Sequence, residues 1–203
     1  MPLASIDRYP NPGPPIAPSV KRRATIALAL VLLAVLVYSG TAWLWLRPVI
    51  YKEIVNKYSG EYKFDPLWVM SIIRVESSFA RSAQSPRGAV GLMQLLPTTA
   101  RELAADIGLK NFKEGDLRDP DMNLRLGFHY LAKLRRQFPD DETSVLAAYN
   151  AGPGVTLQWR KGKPALERSD ITYPETKRFV RRVQVTYTFL KSLQRWKHLF
   201  GID

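Results

Sequence analysis

The chain has 203 residues, a formal net charge of +12 and no cysteine, and 46% of its residues are hydrophobic. This length accommodates one domain of ordinary size with a short additional region, and the missing thiols exclude a disulfide framework, a cysteine nucleophile and a thiolate metal site. The basic excess is compatible with nucleic acid, anionic lipid or an acidic polymer as a partner.

The N-terminal region divides into two parts. Residues 1–23 are rich in proline and basic, which is typical of a disordered tail. Residues 24–46 carry no charge and, as a helix, would extend about 35 Å, enough to cross a bilayer core. The basic residues at positions 21–23 predict that the tail is cytoplasmic and that the chain after the helix is extracytoplasmic. The alternative is a cleaved signal peptide with a weak small-residue site near residues 37–40.

Residues 47–203 are predicted to form one catalytic domain. Pro48 would open an amphipathic helix that Gly60 ends, with almost no linker after the membrane segment. Asp65 and Pro66 then have the residue types of a helix N-cap and first helical position.

Glu76 lies at the far end of the helix that Asp65 begins, on the same face as the apolar residues Ile72 and Ile73. An apolar environment and the electronegative helix C-terminus both disfavour a charged carboxylate there. A glutamic acid that is protonated near neutral pH is suited to general acid catalysis. The competing interpretation is a glutamate that simply leaves the helix end into solvent.

The rest of the chain reads as helical, and no run alternates as a strand would, so the predicted fold is all-α. Residues 108–118 and 152–174 are interpreted as irregular because glycine and proline interrupt them. Helix starts are predicted at Pro97 or Thr98, at Asp119, at Asp140 to Glu142, and at about Glu175.

Three segments together resemble a known family: Glu76-Ser77, the run from Gly91 to Gln94, and the run from Ala148 to Gly152. They match, in order and at compatible spacing, the motifs of the soluble lytic transglycosylase family, lysozyme-like enzymes that cut the glycan strands of peptidoglycan. The resemblance runs from about Tyr51 to Leu193. It implies a lysozyme-like helical domain. Together with the transmembrane helix and orientation expected from residues 21–46, this predicts a domain on the outer side of the bacterial inner membrane.

The resemblance also implies a mechanism with a single catalytic carboxyl group. Glu76 would protonate the glycosidic oxygen between MurNAc and GlcNAc, and the N-acetyl group of the substrate would stabilise the cationic carbon. Glu76 would then accept a proton from the C6 hydroxyl of the same sugar, which gives a 1,6-anhydro end without water.

Substrate-binding residues follow from the same resemblance, and most have a structural alternative. Ser77 is equally a helix cap, Ser85 a turn residue, Met93 a packing residue and Asn150 a residue that shapes the backbone. The expected substrate-binding set is Ser77, Ser85, Met93, Gln94, Tyr149, Asn150 and Glu175.

Glu175 belongs to a segment, Pro174 to Lys177, that resembles the family's Pro-x-Glu-Thr-Arg segment, but with lysine in place of arginine. A lysine cannot make a bidentate contact, which weakens a substrate role for Lys177. Helix N-terminal charge is the alternative explanation of Glu175.

Three other functions remain as alternatives. A hydrolytic lysozyme would need a second carboxylate, for which Glu175 or Asp106 are candidates. A non-catalytic module could bind peptidoglycan with the same fold. Nucleic-acid binding rests on net charge alone and has no recognisable motif. No cofactor or metal site is expected, since His129 and His198 are far apart in sequence and His129 follows a helical pattern.

Overall fold

The computed structural model describes residues 20–199, with side-chain environments for residues 22–36 and 47–199. The expected disordered tail at residues 1–23 lies almost wholly outside these residues. The chain divides into two compact units, Met1–Trp43 and Leu44–Asp203.

The first helix, α1, spans Val20–Ile50. Its apolar side chains from Ile26 to Leu36 are exposed. Over the residues described, the structure contains no helix with both the length and the apolar character needed to span a bilayer. The transmembrane helix expected at residues 24–46 is therefore not confirmed, and the side chains of its second half, residues 37–46, lie outside the described residues.

The second unit is a helical domain. Its helices are α2 (Lys52–Tyr62), α3 (Pro66–Ser77), α4 (Pro97–Asp106), a 3₁₀ helix (Glu114–Arg118), α5 (Pro120–Gln137), α6 (Glu142–Ala151), α7 (Pro153–Arg160) and α8 (Pro174–Leu199). In the described residues, β structure is limited to two isolated bridges that join Val90 to Gln84 and to Leu95. The prediction of an all-α domain is confirmed.

Aspartate caps begin three of these helices, as the sequence predicts. The Asp65 carboxylate accepts a hydrogen bond from the Leu67 backbone N–H at 2.8 Å, and the Asp141 carboxylate accepts one from the Ser144 N–H at 2.9 Å. Asp119 caps α5 in the same way. Each cap satisfies a backbone donor that the helix itself leaves free.

The predicted boundaries are wrong at three other places. α1 continues through Pro48 to Ile50, because a proline removes one helical hydrogen bond but does not stop the turn in progress. α2 passes Gly60 and ends where Lys63 adopts a left-handed backbone. The segment after Gly152 contains α7, since Pro153 occupies the first helical position, where its missing N–H costs nothing.

The core surrounds α5, which is buried on Leu124, Phe128 and Leu131. α3 packs Ile72 and Ile73 into the same core. Because these residues fix the rotation of α3, Glu76 leaves the core at the helix end rather than entering bulk solvent directly.

Candidate active site

A cleft of about 500 Å³ opens beside the end of α3. Its walls come from the loop of residues 83–95 and from parts of α3, α4, α5, α6 and α8. Its polar lining is Glu76, Ser85, Arg87, Gln94, Thr99, Tyr130, Tyr149, Asn150 and Glu175.

Glu76 is the penultimate residue of α3, and the helix stops because Ser78 adopts a φ of +50°. Burial raises the pKa of the Glu76 carboxyl to about 8. The guanidinium of Arg182 opposes this rise, whereas the carboxylate of Glu175 adds to it. Glu76 is therefore mostly protonated at neutral pH, the state in which it can donate a proton.

Tyr149 stands beside Glu76 on α6. Its hydroxyl donates to the backbone carbonyl of Met93 at 2.6 Å, and its ring stacks on Phe179. Burial raises the pKa of the Tyr149 hydroxyl well above its usual value, and the Glu76 carboxylate acts in the same direction. Tyr149 therefore stays neutral and joins α6 to the loop that forms the opposite wall.

Ser85 and Gln94 line the cleft and also hold the loop together. The Ser85 hydroxyl accepts a hydrogen bond from the Ala89 N–H at 3.0 Å. The Gln94 side-chain nitrogen donates to the carbonyls of Ala83 (3.1 Å) and Gly91 (2.9 Å). Both protons of that amide nitrogen are thus used, and the amide oxygen is the polar atom left for a ligand.

Ser77 and Met93 do not line the cleft. The Ser77 hydroxyl donates to the carbonyls of Ile73 and Leu92, the second at 2.8 Å, so it fastens the loop to α3. The Met93 side chain is fully buried and offers no surface to a ligand. The position of both residues fits the structural alternative rather than the expected contact with substrate.

Asn150 and Glu175 lie on the α6 and α8 side of the cleft. The Asn150 side-chain oxygen accepts a hydrogen bond from the Thr176 hydroxyl at 2.7 Å. Glu175 pairs with Arg87 across a distance of 3.1 Å, which connects the loop to α8 at the rim. Arg87 is a cleft residue that sequence reasoning missed, because nothing in its local sequence indicates a partner 88 positions away.

Asn123 is a second residue that sequence reasoning missed. Buried on α5, it accepts from the Met93 N–H at 2.8 Å and donates to the carbonyls of Val90 (2.9 Å) and Leu117 (3.0 Å). A Cβ at Gly91 would collide with this side chain, so glycine is required where the loop crosses α5. The available signal was an asparagine on an otherwise apolar helix face, since a buried amide needs partners.

The described residues contain no group of three or more His, Cys, Asp or Glu side chains that could hold a metal ion. Asp106, one candidate for a second carboxylate, lies outside the cleft lining and pairs with Lys133 at 2.7 Å. His129 lies 3.8 Å from the same carboxylate, and burial lowers its pKa.

Comparison with known proteins identifies relatives of this domain. Residues 53–172 match the family model described as the transglycosylase SLT domain. The chain is 34% identical over 113 residues to the soluble lytic murein transglycosylase of Escherichia coli K12, which covers 55% of this chain and 18% of that protein. It is 33% identical over 117 residues to the membrane-bound lytic murein transglycosylase C of Actinobacillus pleuropneumoniae serotype 5b, covering 53% of this chain and 32% of that protein.

The fold is also similar to a solved structure, that of an inactive mutant of the lytic transglycosylase Slt from Pseudomonas aeruginosa, in which glutamine replaces a glutamate. The TM-score is 0.65 at 31% sequence identity, and the match covers 77% of this chain and 25% of that chain. The chain thus spans a third or less of the length of these relatives. Since the family model covers more than half of the chain, the chain belongs to the transglycosylase SLT domain family.

Proposed function

We propose that this chain is a peptidoglycan lytic transglycosylase. It cleaves the β-1,4 bond between MurNAc and GlcNAc and leaves a 1,6-anhydro end on the MurNAc. The observation that carries the proposal is the buried glutamic acid Glu76, which lines a cleft of about 500 Å³ and has its pKa raised to about 8. Membership of the family and the names of its relatives as murein transglycosylases support the substrate class.

The first step needs an acid. Glu76 donates its proton to the glycosidic oxygen, the bond from C1 to that oxygen breaks, and GlcNAc leaves as the alcohol. The carbonyl oxygen of the MurNAc N-acetyl group bonds to C1 and takes the positive charge. Gln94 and Asn150, two polar residues of the cleft lining, orient the sugars in this proposal.

The second step needs a base. The Glu76 carboxylate removes the proton of the C6 hydroxyl, and the C6 oxygen displaces the N-acetyl oxygen at C1. The 1,6-anhydro bond forms, and Glu76 regains the proton that it lost. A carboxyl group whose pKa lies near the working pH can donate a proton in the first step and accept one in the second.

Hydrolysis by two carboxylates is the second candidate function, because Glu175 also lines the cleft. Its carboxylate is exposed and paired with Arg87, which does not suit a nucleophile or base that must act on the sugar from a fixed position. Asp106 does not line the cleft and pairs with Lys133, so it does not suit this role.

The experiment is mass spectrometry of the products from purified peptidoglycan. We expect 1,6-anhydro ends from the parent chain and a loss of cleavage of at least about 10²-fold in Glu76→Gln, because the amide cannot donate and regain a proton. The inactive glutamate-to-glutamine mutant of the Pseudomonas aeruginosa protein supports this expectation.

Glu102→Gln is the matched control, since Glu102 is an exposed glutamate on α4. Reducing ends in place of anhydro ends would assign the chain to the hydrolases. Binding of peptidoglycan with no cleavage by the parent chain would leave a non-catalytic wall-binding module.

We further propose that residues 24–46 hold the chain at the inner membrane, with the catalytic domain on the extracytoplasmic side. The support is an uncharged segment of 23 residues, the exposure of the apolar side chains from Ile26 to Leu36, and a relative named as membrane-bound. The partners proposed for the chain are therefore glycan strands and lipid, with no role for nucleic acid.

A further inference from the structure

A groove of about 560 Å³ lies on the other side of the α3 end from the cleft. Four arginines line it: Arg74 on α3, and Arg178, Arg181 and Arg182 on α8. A neighbouring depression of about 640 Å³ shares Arg178 and Arg181 and adds Arg168 and Lys177. One continuous band of positive charge, which we call the arginine groove, therefore follows the first half of α8.

The basic side chains of this groove face few acidic groups on its own walls, since its lining contains no aspartate or glutamate. The ion pairs found among the described residues include none with Arg178, Arg181 or Arg182. Val75 and Val185 contribute apolar wall, and a concave surface with one sign of charge and apolar walls concentrates the electric field. Such a groove favours an anionic ligand, and guanidinium groups suit planar carboxylates.

The groove and the cleft are adjacent. Residues 74, 75 and 78 face the groove, whereas Glu76 between them faces the cleft. Arg182 lies close enough to Glu76 for its charge to act on that carboxyl. A substituent that projects from a sugar bound beside Glu76 would thus reach the groove by passing the end of α3.

We propose that the arginine groove binds the carboxylates of the peptide stems that peptidoglycan carries on its MurNAc residues, an inference that rests on the function proposed above. The glycan lies in the cleft, and its stem peptide lies along α8. The groove selects strands with free stem carboxylates over strands without them.

The test compares native peptidoglycan with peptidoglycan whose stem carboxylates have been converted to methylamides. Binding is measured by co-sedimentation with the insoluble polymer, and cleavage by mass spectrometry of released products. For the full parent chain we expect amidation to weaken apparent binding by about fivefold to tenfold, as for the loss of two partly exposed ion pairs.

The double variant Arg178→Gln/Arg181→Gln is expected to lose this preference for native over amidated polymer. The matched control is Arg195→Gln/Lys197→Gln, which removes two charges farther along α8 and outside the groove. It should keep the parent's preference. The comparison of native with amidated peptidoglycan uses only the parent chain, so its result does not depend on whether any variant folds.

Two outcomes overturn the inference: equal binding of native and amidated polymer by the parent chain, or an unchanged preference in Arg178→Gln/Arg181→Gln. If the preference is unchanged and this variant also loses binding to phosphatidylglycerol vesicles, the groove is assigned to lipid phosphate instead. Carboxylate-dependent binding without any cleavage would refute the proposed function and leave the groove assignment standing.

Discussion

Three influences act on the ionisation of Glu76. Burial raises its pKa most, Glu175 adds to the rise through like charge, and Arg182 lowers it through opposite charge. The net value of about 8 places the carboxyl near the point at which it can both give and accept a proton. An acidic group with this pKa also affects stability, because the unfolded chain releases its proton at much lower pH.

We predict that Glu76→Gln is more stable than the parent chain at high pH. The pKa of Glu76 rises from 4.5 to about 8 on folding, so between these values the folded state holds a proton that the unfolded state has lost. The parent chain therefore loses stability as pH rises from 4.5 to about 8, and the amide avoids this loss. Thermal unfolding should give a Tm on the order of 10 °C higher for the variant at pH 8 to 9.

Below pH 4 the two Tm values should converge, because the carboxyl is then neutral in both states. Glu102→Gln is again the control, and its free energy of unfolding should stay within about 0.5 kcal/mol of the parent at every pH. Parallel Tm curves for Glu76→Gln and the parent would mean that Glu76 ionises as a hydrated glutamate does.

At the scale of elements, the loop of residues 83–95 is fastened to three helices by side chains from outside it. Ser77 fastens it to α3, Tyr149 to α6 and Asn123 to α5. The side-chain oxygen of Asn123 accepts one hydrogen bond and the side-chain nitrogen donates two, so both of its amide protons have a partner. The shape of the cleft wall thus depends on a residue that does not touch the cleft.

We predict that Asn123→Ala destabilises the domain by about 1–3 kcal/mol, because it leaves buried backbone groups of residues 90, 93 and 117 without partners. Urea denaturation measures the change in the free energy of unfolding. Asn111→Ala, at an exposed position, should change it by less than about 0.5 kcal/mol. Equal effects of the two substitutions would show that Asn123 does not organise the loop.

These elements also show which structural features could be predicted from the sequence. The caps at Asp65, Asp119 and Asp141 were predictable because cap and helix lie within three residues of each other. Glu76 could be predicted as a candidate active-site residue from its position relative to the apolar residues of α3 and from the family motif. Asn123 was not, since its partners lie up to 33 positions away.

At the scale of the whole molecule, the chain combines an SLT domain with a net positive charge and an apolar N-terminal segment. The net charge of +12 favours anionic surroundings, and both the peptide stems of peptidoglycan and a bilayer surface supply them. Charge alone did not distinguish these partners in the sequence. The clustering of arginines around one groove is what favours a specific anion site over a general attraction to negatively charged surfaces.

We predict that Leu32→Arg/Leu36→Arg releases the chain from membranes, because a charged side chain costs about 2.5–3.5 kcal/mol near the centre of a bilayer. Carbonate extraction of cell membranes should move this variant to the supernatant. Leu157→Arg/Leu193→Arg adds the same charges at exposed apolar positions of the catalytic unit and should stay with the pellet. If the parent chain is itself extracted, residues 24–46 do not anchor it.

The ion pair between Arg87 and Glu175 has a consequence for polymer entry. Its two side chains are 77% and 59% exposed, and a pair this open to water contributes about 0–1 kcal/mol, close to thermal energy. An ion pair this exposed breaks and re-forms readily, and added salt weakens it further. We therefore expect this ion pair to present little resistance to a glycan strand that enters the cleft at this rim.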